Sequence, residues 1–330
     1  MTRGGRLLLV LGGFVAGLLA VVAVALFLGS ARISPAAVLK VLAGRAHAES
    51  TESVVILSLR LPRIVAAAVA GGALAVAGVG FQGLTRNPLA EPSVLGVSSG
   101  AAFGVVIAQL WGAGAGVTDA LRLTLFGFGG ALLAGGAVYL IASVNGALPI
   151  QTLLLSGVIV GIFFASATTV LTSLVDINRL GGIVHWLLGN VSPIPALAGA
   201  GFWLILGQAR QLNVLALGEE AALQLGVNAE RLKVRVFVGS ALLTASVVAF
   251  AGPIGFVGLV VPHVLRLLLG PDNRLLVPTA LLGGGIFLLV ADTLARNIVA
   301  PAELSVGVIT SFCGAPVFIY VLRTRTRGVL

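Results

Sequence analysis

Residues 64–81 read IVAAAVAGGALAVAGVGF, eighteen consecutive residues without a charged side chain. A helix needs about 20 mostly apolar residues to cross the hydrocarbon core of a bilayer. With its flanks, this stretch therefore predicts a transmembrane helix at roughly 60–84. Its many glycine and alanine residues also predict close packing against other helices, because small side chains let two backbones approach.

The same apolar character extends over nearly the whole chain. Of 330 residues, 58% are hydrophobic and 9% are charged, and the mean hydropathy is +1.12, which excludes an ordinary soluble domain. The pattern predicts one all-α polytopic membrane domain, residues 1–330, with about ten transmembrane helices. Besides 60–84, spans are predicted at roughly 6–29, 93–111, 121–143, 150–175, 193–208, 232–251, 254–270, 274–297 and 304–323, the eighth of them short.

The charge pattern predicts how the chain is oriented. The apolar run Leu7–Leu28 is too long for a signal peptide, so it predicts the first span. An even number of spans places both termini on one side, and arginines near both ends favour the cytoplasm. The net charge of +9 is attributed to loop topology rather than to nucleic-acid binding.

The sequence carries none of the motifs that would predict enzyme chemistry. It lacks G-x-x-x-x-G-K-[ST], H-E-x-x-H and the serine nucleophile elbow, and it holds one cysteine, Cys313. We therefore expect no catalytic residue, no metal site and no cofactor bound by this chain. His185, beside Trp186, and His263 are interpreted as boundary or packing residues rather than ligands.

Small residues and hydroxyls recur at helical spacing in two predicted spans. The third span carries small residues every four positions, which predicts a groove for a neighbouring helix: Gly96, Gly100, Gly104 and Ala108. The fifth span carries Gly157, Gly161 and Ala165 and then turns polar, with Thr168, Thr169, Thr172 and Ser173. Helix packing and the lining of a pathway both remain open for the fifth span.

Two short passages resemble each other, AEPSV at 90–94 and AELSV at 302–306. Each is predicted to begin a helix at opposite membrane faces, with the hydroxyl as a cap and the glutamate near the positive helix end. An inverted repeat and convergent capping explain the likeness equally well.

Polar features at the two predicted faces suggest partner surfaces. On the cytoplasmic side, LGEEAALQLGV (Leu217–Val227) predicts a short helix suited to docking, or an ordinary amphipathic surface helix. On the outer side, Arg60 and Arg63 begin the second span, and Arg296 follows Asp292 by four residues, so that those two side chains can pair. These arginines either form an outward cationic surface for a partner's carboxylates or only snorkel and pair locally.

Several motifs, in order over roughly residues 55–325, resemble the FecCD-type permease family, which includes the cobalamin permease of type II ABC importers. They are RLPR (60–63), RNPLAEPSVLGVSSGAAFG (86–104), WLLG (186–189), LGEEAALQLGV (217–227), GPIGFVGLVVPHVLRLLLG (252–270), ADTLAR (291–296) and AELSVGVITSFCGAPVFIYVL (302–322).

The resemblance implies a homodimer of ten-helix permeases with cytoplasmic ATPase subunits, which would bind ATP and Mg²⁺, and a periplasmic or lipid-anchored substrate-binding protein. It assigns binding-protein docking to Arg60, Arg63 and Arg296. It assigns ATPase coupling to a helix at about 217–228, with candidate residues Leu217, Gly218, Glu219, Glu220, Leu225 and Gly226. The translocation path would be lined by hydroxyls of the fifth and tenth helices: Thr168, Thr172, Ser173, Ser305, Thr310 and Ser311.

The function implied by the resemblance is ATP-driven import across a bacterial or archaeal inner membrane by alternating access. Ferric siderophore, haem and cobalamin all remain open as substrates, and Arg179 is a candidate contact for anionic substrate groups. The alternatives are an ion- or proton-coupled secondary transporter, which ought to carry an intramembrane carboxylate relay, and a membrane-embedded enzyme.

Overall fold

The computed structural model describes residues 3–31, 33–47, 49–111, 117–175, 181, 183–184, 186–189, 197–300 and 302–327. Within these ranges the chain is helical, and the β-structure is one isolated bridge between Val144 and Ala147. The predicted all-α class is therefore confirmed.

Twelve helices form the described bundle. In chain order they are α1 (Arg3–Phe27), α2 (Pro35–Leu42), α3 (Thr51–Thr85), α4 (Val97–Leu110), α5 (Val117–Ala142), α6 (Ile150–Ser173), α7 (Leu197–Leu215), α8 (Glu219–Gln224), α9 (Ala229–Ala251), α10 (Val257–Leu269), α11 (Asn273–Asn297) and α12 (Val306–Arg327). Helix α3 includes a π-helical stretch, Val54–Arg60, before its long α-helical part, Leu61–Thr85. A 3₁₀ turn, Pro92–Leu95, precedes α4.

The predicted spans correspond to ten of these helices. Six are long and apolar enough to cross a membrane, and three shorter apolar helices accompany them within the described residues. Helix α7 occupies the position of the predicted span 193–208, of which residues 193–196 lie outside the described part. The predicted span at 93–111 is shorter than expected, because α4 has 14 residues and extends only about 21 Å.

The break before α4 has a local cause. Gly96 has a φ of 72°, a left-handed conformation that glycine adopts without steric cost and that interrupts a continuous helix. Helix α10 is equally short, with 13 residues that follow a left-handed Phe256. Gly258, at the start of α10, lies against Leu74 in the middle of α3, and Gly96 lies against Gly157 within α6. Both helices therefore begin inside the bundle rather than at its ends.

Helix α3 lies at the centre of the bundle and packs against α11, α9, α10 and α7. It approaches α10 and α11 closely: a Cβ built on Gly78 would lie 1.9 Å from the carbonyl oxygen of Gly258 in α10, and one built on Gly71 would lie 2.1 Å from that of Gly284 in α11. No side chain fits between the backbones at either contact. Helix α1, in contrast, packs mainly against α11, and its most apolar window remains unburied by the chain itself, as expected of a helix that faces lipid.

The predicted small-residue groove of the third span is confirmed. A Cβ on Gly104 would lie 2.0 Å from the carbonyl oxygen of Phe126, and one on Gly100 would lie 2.4 Å from that of Gly130. Helix α5 therefore occupies the groove along α4. In the fifth span, Gly157 packs against the carbonyl oxygen of Val94 at the 3₁₀ turn.

The 25 residues of Leu61–Thr85 extend about 37 Å and separate the two ends of the bundle. We call the end that contains Arg60 and Arg63 the arginine end, and the end that contains α8 the α8 end.

Candidate functional sites at the two ends of the bundle

The arginine end is organised around one buried carboxylate. Asp292, on α11, is fully buried and lies between two guanidinium groups. Arg63 approaches its Oδ1 with Nε at 3.1 Å and Nη2 at 3.0 Å. Arg296 approaches its Oδ2 with Nε at 3.0 Å, which confirms the predicted pairing of these residues along one helix face.

Arg63 also contacts a second carboxylate. Its Nη1 donates a hydrogen bond of 2.7 Å to Oε2 of Glu303, and the Ser30 hydroxyl donates to Oε1 of the same residue at 3.1 Å. Burial alone would raise the pKa of Glu303, but the hydrogen bond and charge of Arg63 outweigh burial and lower it. The Glu303 carboxylate is therefore ionised at neutral pH.

The three predicted docking arginines differ in accessibility. Arg60 and Arg296 are buried in the chain, whereas the Arg63 side chain is 22% exposed. Arg60 donates to the backbone oxygens of Leu26, at 2.8 Å, and Ala31. Leu26 lies in the last turn of α1, where backbone acceptors lack helical partners, and Ala31 lies in the connection that follows, so Arg60 anchors the end of α1 and this connection. Of the three arginines predicted to dock a partner, Arg63 is therefore the one that is partly accessible from outside the chain.

A cavity of about 400 Å³ opens beside this cluster. Side chains of all three arginines line it, together with Glu303 and the backbone around Gly29. The cavity is therefore lined by cationic groups and is large enough for one or two side chains of a partner.

The α8 end is held by a buried lysine. The Lys233 Nζ donates to Glu219 Oε2 at 2.9 Å and to Glu230 Oε1 at 2.8 Å. Glu230 in turn accepts a hydrogen bond of 2.6 Å from the backbone N–H of Leu148, and Arg86 lies 3.7 Å from Glu219. These contacts tie α8 to α9, to the loop after α3 and to the start of α6.

Helix α8 nevertheless keeps an exposed apolar face. Leu223 and Leu225 are 70% and 62% exposed, and Leu217 is equally accessible. On the opposite side, Ala222 is fully buried against the bundle. Gly226 follows the helix with a left-handed φ of 77°, a conformation common where helices end. Of the predicted coupling residues, Glu220 lies on the exposed side and Glu219 faces Lys233.

The predicted path hydroxyls divide into two groups. Thr168 and Thr310 are buried within the chain and donate to backbone oxygens of their own helices, Phe164 and Gly307. Thr172 is half-buried and bonds in the same way, whereas Ser173, on α6, and Ser311, on α12, are exposed.

The capping prediction for the two similar passages is wrong at Ser93, which lies inside the 3₁₀ turn rather than before it. Its neighbour Glu91 accepts a 2.5 Å hydrogen bond on Oε1 from the backbone N–H of Phe256, at the start of α10. Ser305 directly precedes α12, and its hydroxyl donates to the backbone oxygens of Leu188 and Gly189.

The remaining polar candidates carry no further site. Arg179 and His185 lie outside the described residues, and His263 is buried in α10. In the described part of the chain, no group of three or more His, Cys, Asp or Glu side chains is placed to hold a metal ion.

Sequence reasoning missed three residues that organise these ends: Lys233, Glu230 and Glu303. One signal was available for Lys233, because it is one of two lysines in the chain and follows Glu230 at i,i+3. Glu303 carried no such signal, since its partner Arg63 lies 240 positions away.

The apolar helical bundle, with its short helices that begin inside the bundle, defines a multi-pass membrane protein. The model of the FecCD transport family matches residues 17–324, and the chain belongs to this family.

Its relatives are permeases. It is 43% identical over 285 residues to the ABC transporter permease protein YvrB of Bacillus subtilis, which covers 83% of this chain and 80% of YvrB. It is also 43% identical to the cobalamin import system permease BtuC of Halobacterium salinarum (83% and 75% coverage) and to the hemin transport system permease HmuU of Yersinia pestis (82% and 83%). A solved structure described as an inward-facing metal-chelate type ABC transporter matches with a TM-score of 0.78 at 30% identity, covering 95% of this chain and 98% of that one.

Proposed function

We propose that this chain is the permease subunit of an ATP-driven importer that carries an iron chelate, haem or cobalamin across the cell membrane by alternating access. In this proposal two copies of the chain form the passage, ATPase subunits that bind ATP and Mg²⁺ dock at the α8 end, and a substrate-binding protein docks at the arginine end. Both termini then lie in the cytoplasm. The single observation that carries the proposal is α8, a short amphipathic helix that is tied to the bundle by ion pairs and followed by Leu225, so that Leu223 and Leu225 remain exposed.

The contacts of α8 suit it to transmit force. The exposed Leu223 and Leu225 offer apolar side chains of the kind that anchor protein interfaces. The ion pairs of Lys233 hold the first residue of α8, Glu219, against α9. Because Lys233 is buried, these pairs are screened by solvent less than surface pairs are. A movement imposed on α8 therefore reaches α9, and through Glu230 it reaches the start of α6.

The arginine end suits a partner that presents carboxylates. The two carboxylates of the cluster face three arginines, so the cluster keeps a net positive charge beside an open cavity. Arginine binds carboxylates in a planar, bidentate geometry. In this proposal Arg63 contacts the partner directly, and the buried Arg60 and Arg296 add positive charge beside it.

The passage is proposed to lie between two copies, along α6 and α12. Both helices keep faces that their own chain leaves open, with exposed apolar side chains such as Phe163 and Phe312 and the exposed hydroxyls of Ser173 and Ser311. A mostly apolar lining with scattered hydroxyls would let a bulky chelate pass without being held tightly. A second copy packed against these faces would enclose them.

The coupling claim is tested by truncating the apolar face of α8. The double variant Leu223→Ala/Leu225→Ala should weaken the binding of the ATPase subunits roughly tenfold or more, because buried interface anchors each contribute at least about 1 kcal/mol. The measurement is the affinity of the purified permease for its ATPase subunits, together with the rate of substrate-stimulated ATP hydrolysis. Leu42→Ala, which truncates an exposed leucine of α2, is the matched control. Wild-type affinity and hydrolysis in the double variant would refute the coupling role of α8.

A further inference from the structure

The two carboxylates that contact Arg63 occupy different edges of its guanidinium group. Asp292 takes the edge formed by Nε and Nη2 and is fully buried. Glu303 takes Nη1, on the edge that faces the cavity, and its side chain is 36% exposed. A carboxylate that arrives from outside can bind Arg63 bidentately only at the edge that Glu303 now uses.

Glu303 also stands at the entrance to α12. The backbone N–H of the next residue, Leu304, donates to the carbonyl oxygen of Ala295 at 3.0 Å. Ser305 then bonds to the backbone of Leu188 and Gly189, and α12 begins at Val306. The contact between Arg63 and Glu303 therefore attaches the start of α12 to α3.

We propose that Glu303 is an internal substitute for the carboxylate of the docking protein, which displaces Glu303 from Arg63 and so releases the N-terminal end of α12. This inference rests on the proposed docking function of Arg63 and adds a regulatory step to it. Arrival of the partner at the arginine end is thereby communicated to a helix that is proposed to line the passage. The buried Asp292 keeps Arg63 in place throughout the exchange.

The test uses the full-length permease in lipid nanodiscs and the substrate-binding protein of its proposed importer. In Glu303→Gln the internal competitor is weakened, so the binding protein should bind about two- to fivefold more tightly, as expected from the strength of a partly exposed ion pair. A purely structural role of Glu303 would lower the affinity or leave it unchanged. Glu52→Gln, which removes an exposed carboxylate on the first turn of α3, controls for the general effect of charge.

The single cysteine provides a second readout. Cys313 is exposed on α12, and a spin label attached there should become more mobile when the binding protein is added to the otherwise wild-type chain. In Glu303→Gln the label should already be mobile before addition. Unchanged affinity and unchanged label mobility in Glu303→Gln would overturn the inference.

The outcome for Arg63→Glu separates this inference from the docking proposal. If Arg63→Glu leaves the affinity for the binding protein at the wild-type value, both the docking role and the exchange fail. If Arg63→Glu weakens binding at least tenfold while Glu303→Gln behaves as wild type, docking stands and only the exchange is refuted.

Discussion

Asp292 shows how one side chain determines the electrostatics of an entire end of the bundle. A buried carboxylate is costly unless it is paired, and two arginines of α3 and α11 supply the pairing. This arrangement argues against Asp292 as part of an ion-coupled carboxylate relay, because both of its oxygens already face guanidinium groups. Its role is to position Arg63 and Arg296.

Removal of the Asp292 charge should therefore destabilise the chain strongly. Asp292→Asn leaves Arg296 buried without its counter-ion, for which about 3–5 kcal/mol of lost unfolding free energy is expected. Chemical unfolding in detergent micelles measures this loss, and Glu52→Gln should remain within about 0.5 kcal/mol of wild type. A comparably small effect for Asp292→Asn would contradict the account of the cluster.

Asp272, the N-cap of α11, predicts a pH dependence at the α8 end. Burial would raise the pKa of Asp272, but hydrogen bonds from Arg274 and Asn213 outweigh burial and lower it from 3.8 to about 2. Because the folded-state pKa is depressed, the stabilisation is fully present above pH 3.8 and is lost as the pH falls to about 2.

The corresponding measurement is the thermal unfolding midpoint across this acidic range, for wild type and for Asp272→Asn. The wild-type midpoint should decline more steeply toward pH 2 than that of the variant, which has no carboxyl group to protonate. Parallel curves for the two proteins would show that Asp272 does not contribute in this way.

At the scale of elements, the close contact between α3 and α11 depends on glycine residues, which have no side chain to separate the two backbones. Gly71→Ala would place a Cβ 2.1 Å from the Gly284 carbonyl oxygen, so the two helices must separate. Overpacking of this kind costs about 1–3 kcal/mol or more. Gly136→Ala in α5, where nothing lies within 4 Å, should be neutral or slightly stabilising, because alanine favours helices.

These glycine variants are compared by thermal unfolding of the purified chain in the same detergent. Equal midpoints for Gly71→Ala and Gly136→Ala would show that the contact between α3 and α11 can relax and would refute the close-contact explanation.

The elements also show what a sequence can predict. Hydropathy predicted the ten helices, and four-residue spacing predicted the groove of Gly100 and Gly104, because both patterns are local. The pairing of Asp292 with Arg296 was predictable for the same reason. The contacts of Arg63 with Asp292 and Glu303 join residues 229 and 240 positions apart, and only the fold brings them together. The cap at Ser93 failed because the 3₁₀ turn begins at Pro92 and leaves Ser93 inside it, while Glu91 contacts the distant start of α10.

At the scale of the whole molecule, the permease carries a cationic cavity at one end and a short amphipathic helix tied to the bundle by ion pairs at the other, about 37 Å apart along α3. In the proposed mechanism, substrate is delivered at the first end and ATP-driven force is applied at the second. Import by this mechanism requires that the helices of the bundle transmit movement from one end to the other, whichever substrate is carried.

The central claim is tested most directly by uptake into proteoliposomes that contain the permease, its ATPase subunits and its substrate-binding protein. Ferric siderophore, haem and cobalamin are each offered as radiolabelled substrate, with and without MgATP on the ATPase side. The account predicts that one of them accumulates only with MgATP, and that Leu223→Ala/Leu225→Ala reduces this uptake. Equal accumulation without ATPase subunits, driven by an ion gradient alone, would contradict it.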